Sequence, residues 1–119
     1  MFKVDRAAPN RLDIAVSGKL NGDEMAVALD ELIAAADSIE QGRMLYLISD
    51  FNFPSLAAIG VELSRLPALF KLARKFERAA VVADEAWIRT LSEWEGHLFP
   101  GLEIRGFTSV EEAEDWLAA

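Results

Sequence analysis

Two short runs of this chain are apolar at almost every position: MLYLIS at residues 44–49 and AAVVA at residues 79–83. A strand with one solvated face alternates apolar and polar residues, whereas a strand covered on both faces does not need to. Both runs therefore belong in the middle of a sheet. A long helical segment separates them, as a crossover between parallel strands requires. The remaining strand candidates do alternate. Phe2 to Asp5 is a short strand. A turn follows at Ala7 to Asn10 around Pro9, then a strand with Leu12, Ile14 and Val16 on one face, and LEIRGF at 102–107 reads as an outer strand.

The helices carry their own punctuation. In NGDEMAVALDELIAAADSIEQG, Asn21 is an N-cap with Glu24 three residues on, and Gly42 suits the C-terminal stop. Met25, Leu29, Leu32, Ala36 and Ile39 form one core-facing stripe. Another helix runs roughly from Glu85 to Glu95. The last begins at Ser109, whose Ser-x-x-Glu spacing to Glu112 is a capping signature, with Val110, Ala113 and Leu117 facing inward. The order is β-β-α-β-α-β-α-β-α. It predicts an α/β fold with a single five-stranded, mostly parallel sheet, in one domain over residues 1–119.

Composition sets the outer limits. With 52% hydrophobic and 27% charged residues the chain is globular rather than disordered. It has no cysteine, which removes disulfides, thiolate catalysis and Cys-based metal sites. MFKVDRAAPNRLD has no basic segment leading into an apolar core, so no secretory signal is read there and a cytoplasmic location is expected. The net charge of −8 argues against nucleic acid as a partner. Against the acidic background, Lys71, Arg74, Lys75 and Arg78 cluster with Glu77 as the one acid among them. The simplest account of such a cluster is a solvated face with cations near a helix C-terminus.

Catalytic chemistry is not evident. His97 is the one histidine, and the glycine-rich phosphate loops and the G-x-S-x-G elbow are missing. The paired carboxylates Glu111/Glu112 and Glu114/Asp115 fall on a surface helix, where nothing raises a carboxyl pKa for proton transfer. No enzyme activity, cofactor or metal is expected.

The segment from Phe51 to Phe76 is the unusual one. Leu56, Ile59, Leu63, Leu66 and Phe70 form one apolar stripe, widened by Ala57, Val61, Ala68 and Leu72, and few polar positions remain. Glu62, Arg65 and Pro67 interrupt it, so it is not a membrane span. Pro67 must kink or split the helix near Ser64 to Leu66. Three explanations fit: deep burial, a self-association or partner surface, or a flap over an apolar site that dips toward a membrane beside the basic cluster.

FERAAVVADEAWIRTL, LFPGLEIRGF and EEAEDWLAA together resemble the bacterial SpoIIAA-like proteins. These are small domains of the STAS type, also compared with the CRAL-TRIO lipid-binding fold. The strand followed by Asp84 and WIR (87–89), then FPG (99–101), carries most of the likeness. The resemblance implies a strand–helix superhelix with parallel strands in sequential order, and binding of apolar ligands or membranes rather than an assigned reaction. In anti-sigma factor antagonists a phosphorylatable serine in an Asp-Ser-Ser/Thr-Gly motif opens the second helix. Here that place reads FNFPSLAAIG. Asp50 corresponds to the acidic residue that opens the antagonist loop, and Ser55 is suitably sited, but the flanking Asp and Gly are missing. Ser55 also reads simply as an N-cap.

The expected site is an apolar cavity between the sheet and the kinked helix 55–73. Leu56, Ile59, Leu63, Leu66 and Phe70 would wall it, with Phe51, Phe53 and Trp87 at its mouth, since ligands of open α/β sheets collect at the strands' carboxyl ends. The expected ligand is an acyl chain, isoprenoid or similar amphiphile, and peripheral association with the inner face of a membrane is the related expectation. The alternative is a regulatory protein-interaction domain of the antagonist type with Ser55 as its switch. A homodimer through the apolar helix is the third reading.

Overall fold

A computed structural model describes residues 1–51, 60, 61, 64–97, 99 and 101–119. Among these the elements run β1 (Phe2–Ala8), β2 (Arg11–Gly18), α1 (Gly22–Ala36), β3 (Gly42–Phe51), α2 (Leu66–Ala73), β4 (Phe76–Ala83), α3 (Ala86–Gly96), β5 (Glu103–Phe107) and α4 (Val110–Ala118). The strands form one five-stranded sheet in the order β1-β2-β3-β4-β5. β1 and β2 are antiparallel, and every later pair is parallel.

The pleat of β2 divides the molecule. Leu12, Ile14 and Val16 are buried toward α1, while Arg11, Asp13 and Ala15 look to the other face and keep partial exposure. The apolar face carries α1, α2 and α3, and it holds the main core, with Leu12, Ile14 and Ile39 essentially sealed from solvent. α4 lies on the second face, where Ala113 and Leu117 pack on Leu45 and Ala80. β3 and β4 are thus covered on both sides, which is why their sequences do not alternate.

α1 begins as its sequence dictates. The Asn21 side chain accepts from the Glu24 N–H at 2.8 Å, and the Glu24 carboxylate accepts from the Asn21 N–H at 3.3 Å, a complete capping box. The helix ends at Ala36, earlier than the apolar stripe suggests. Ile39 is fully buried all the same, from the connection rather than from the helix. α1 has no base in its last turn, and the Lys75 ammonium supplies the cation by donating to the Asp37 carbonyl at 2.9 Å. β3 then enters through a tight fit. The Gly42 N–H donates to the Lys75 carbonyl (2.8 Å), and a Cβ on Gly42 would stand 2.4 Å from Ile39 Cγ2.

Pro67 divides the second helical segment. Gly60, Val61 and Ser64 are helical, Arg65 leaves the helical path, and α2 starts afresh at Leu66 with Pro67 in its first turn. There the missing N–H has no intrahelical acceptor to lose. Backbone bonds from Arg65 N–H to the Val61 carbonyl (3.2 Å) and from Leu69 N–H to the Arg65 carbonyl (3.0 Å) carry the chain across the break.

Candidate functional site

An apolar cavity of about 260 Å³ lies between the sheet and the three helices on its main face. Its floor follows from strand periodicity: Met44, Tyr46 and Ile48 of β3 are two residues apart and share that face, joined by Val16, Val81 and Ile104 from neighbouring strands. Its roof follows from helix periodicity. Met25, Leu29 and Leu32 come from α1 at i, i+4 and i+7, and Leu69, Leu72 and Ala73 come from α2 at i, i+3 and i+4. Ser92 of α3, Phe99 and Leu102 close one end. The Ser92 hydroxyl donates to the Ile88 carbonyl at 2.8 Å, so this polar atom is already partnered within its own helix. Among the described residues no charged side chain is buried. A charged group taken inside would lose its hydration without an ionic partner.

The sequence-predicted wall falls differently. Phe70 is 39% exposed and lies against Phe99, ring centres 5.1 Å apart, so it touches the cavity's end wall from outside. Leu66 is half-buried and is not part of the lining. Trp87 is 40% exposed, its indole N–H donates to the Glu85 carboxylate, and it does not line the cavity. In place of these three, Leu69, Leu72 and Ala73 of α2 line the cavity. Phe51 closes β3, and its side chain lies outside the described residues, as do Phe53, Ser55, Leu56, Ile59 and Leu63. The missed lining residues on β3 had a legible signal in their two-residue spacing. Phe99 had none.

The basic cluster read from the sequence does not form one patch. Lys71 and Arg74 are exposed, and Lys75 caps α1. Arg78 is a strand residue on the second face. Its guanidinium donates to the carbonyls of Trp116 (2.6 Å) and Ala119 (3.1 Å) and lies 5.1 Å from the centre of the Trp116 ring. Register places Arg11 beside Arg43 and Arg43 beside Arg78, so three guanidiniums cross β2, β3 and β4 under α4. Arg43 donates to the Leu117 carbonyl (3.1 Å) and pairs with Glu77 (3.2 Å). Arg11 holds Glu114 through two bonds (2.6 and 3.1 Å) and Asp13 through one (2.7 Å). The Glu114 carboxyl is held below the ordinary range, chiefly by its hydrogen bond from Arg11, with burial opposing. The Arg11 guanidinium is correspondingly raised, first by Glu114. This face is built for holding a helix.

At the carboxyl ends of the strands Asp50, Asp84 and Glu85 are exposed, with Asp84 and Glu85 just ahead of α3. Asp50 has φ +47°, a left-handed conformation unfavourable for a residue with a Cβ, where β3 bulges against Gly18. His97 is exposed beyond α3. Among the described residues no three His, Cys, Asp or Glu side chains are grouped to hold a metal ion, and no helix is long and apolar enough to cross a membrane.

A five-stranded sheet in sequential order, one antiparallel pair at its edge and helices on both faces define a small α/β domain with the fold seen in SpoIIAA. The chain belongs to the SpoIIAA-like family, whose model matches residues 11–118. Among solved structures it is similar to an uncharacterized protein with a SpoIIAA-like fold from Shewanella loihica, at 22% identity and a TM-score of 0.76 over 98% of this chain and 92% of that one. The anti-sigma factor antagonist SpoIIAA in its unphosphorylated form aligns over 100% of this chain and 99% of its own, at 15% identity and a TM-score of 0.56. The Bacillus cell fate determinant SpoIIAA in its phosphorylated form gives 16% identity and a TM-score of 0.57, covering 98% of each chain. No curated protein matches the chain.

Proposed function

We propose that this protein is a non-enzymatic binding module whose cavity takes an apolar, lipid-like ligand. The observation that carries the reading is the cavity of about 260 Å³ walled by side chains of all five strands and three helices. A dry apolar cavity of roughly 150 Å³ accommodates benzene, so the larger space suits a short acyl or isoprenoid chain, or a ring with a short tail. Any polar head of the ligand would remain at the opening, since the walls offer it little. Native mass spectrometry of the purified protein, followed by solvent extraction, tests this. A co-purifying apolar compound, displaced by added medium-chain fatty acid, is the expected result. Protein that carries nothing and takes up neither fatty acids nor quinones would overturn it.

A regulatory protein-interaction role is the second reading, favoured by the fold shared with anti-sigma factor antagonists and by the left-handed Asp50 at the end of β3. In that role Ser55→Asp abolishes binding to a protein partner and Ser55→Ala preserves it. If both variants change only stability, Ser55 is a helix cap. Membrane association has less support, because only Lys71 and Arg74 remain of the four cations that would face a bilayer.

A further inference from the structure

The two edges of the sheet are finished differently. On β5 the Gly106 N–H donates to the Glu93 carboxylate at 2.8 Å, and α3 packs so closely that a Cβ there would stand 2.7 Å from Arg89 Cβ. Among the described residues β1 has no such cover. The Ser17 N–H donates to the Met1 carbonyl at 2.9 Å, and the Met1 amine donates back to the Ser17 carbonyl, which fixes the phase of the β1–β2 ladder. Residues 1, 3 and 5 turn their backbone groups to β2, so Phe2, Val4 and Arg6 turn theirs outward. Among the described residues no side chain bonds to those outward groups. An open edge of this kind pairs with another strand unless its side chains prevent it.

The side chains of β1 select their partner. Lys3 and Asp5 share the face away from α1, both 67% exposed, with only a long 3.9 Å contact between them. We infer that this edge pairs with a second copy of the chain, β1 against β1 and antiparallel, about a two-fold axis at Val4. In that register the outward groups of Val4 meet those of Val4 in the partner, and Phe2 meets Arg6. Lys3 then stands opposite Asp5, twice by symmetry, at the non-hydrogen-bonded positions where facing Cα atoms approach to about 4.5 Å. A slip of two residues either way sets Lys3 against Lys3 or Asp5 against Asp5, so charge selects the register. Beside this edge Phe2 and Val27, the latter 58% exposed on α1, border a groove that also carries Asp23, Glu24 and Glu31, so the pairing rests on the strand edge and not on this flank.

Sedimentation across a micromolar concentration series tests the association, with circular dichroism confirming that each variant is folded. Lys3→Glu weakens dimerisation by roughly tenfold, since two attractive cross-strand pairs become repulsive, and Lys3→Glu combined with Asp5→Lys restores it. The chain has no cysteine, which permits a geometric check. An equal mixture of Lys3→Cys and Asp5→Cys proteins forms a disulfide-linked dimer on mild oxidation, whereas each alone does not. A chain that stays monomeric overturns the inference. So does a dimer whose cysteine mixture fails to cross-link, and so does a monomer that binds an extended peptide along β1.

Discussion

Arg78 donates to the Trp116 carbonyl at 2.6 Å while its guanidinium lies 5.1 Å from the centre of the Trp116 ring. One side chain thus binds both the backbone end and the aromatic side chain of α4. Arg105 lies at the same 5.1 Å from the ring, and Phe107 packs 5.7 Å from it. The cations also meet the negative end of the helix macrodipole, so α4 needs no base in its own last turn.

Replacing Arg78 loosens α4 selectively. Arg78→Lys keeps the charge but cannot make the planar contact with Trp116 while reaching two carbonyls. The expected loss is about 1–3 kcal/mol, from charged hydrogen bonds and the cation–π contact. Urea denaturation reads the loss, and near-ultraviolet circular dichroism reads Trp116 becoming mobile.

Acid should weaken the same helix through Glu114. Its folded pKa lies below its ordinary value, so its contribution is present above the ordinary carboxylate range and lost as pH falls through the lowered value. Arg11 is raised, so its share would be lost only far on the alkaline side. The stability difference between the wild type and Glu114→Gln is therefore constant near neutrality and shrinks below about pH 4.3. Denaturant midpoints measured over that range check it.

Gly42→Ala is expected to destabilise by about 1–3 kcal/mol, the usual range for overpacking. The cause is space rather than backbone freedom: the added methyl meets Ile39 at 2.4 Å, the Asn10 carbonyl at 3.0 Å and Phe76 at 3.1 Å. Thermal unfolding gives the measurement, and Gly60→Ala, where a Cβ would meet nothing within 4 Å, serves as the comparison.

Filling the cavity separates binding from stability. Ala73→Leu places an isobutyl group in the apolar space from α2, so most ligand uptake is lost while the thermal midpoint holds or rises. Trp87→Phe, off the wall, leaves uptake unchanged. Native mass spectrometry with added fatty acid distinguishes the two.

The fold was largely legible because its signals are local. The unalternating β3 and β4 announced coverage on both faces, Asn21 and Ser109 announced helix starts, and Pro67 announced a break. The site was less legible because its walls come from elements far apart in the sequence. A stripe counted continuously from Leu56 to Phe70 assumes one helix, whereas α2 begins afresh after Arg65 and the cavity is lined from it by Leu69, Leu72 and Ala73. Arg78 misled for a related reason. It is near Lys71 and Arg74 in sequence, but the pleat of β4 turns it to the opposite face. Sequence adjacency predicts a shared patch within a helix, and it fails across a helix-to-strand boundary.

The sequential strand order β1-β2-β3-β4-β5 has a consequence for how the molecule comes into being. Each strand is laid down beside its immediate predecessor, so no early strand waits with an open slot for a late one. The β1–β2 hairpin can close first at small entropic cost, and every later strand finds a finished template as synthesis proceeds. α4, which follows β5, then locks onto arginines already aligned on three paired strands.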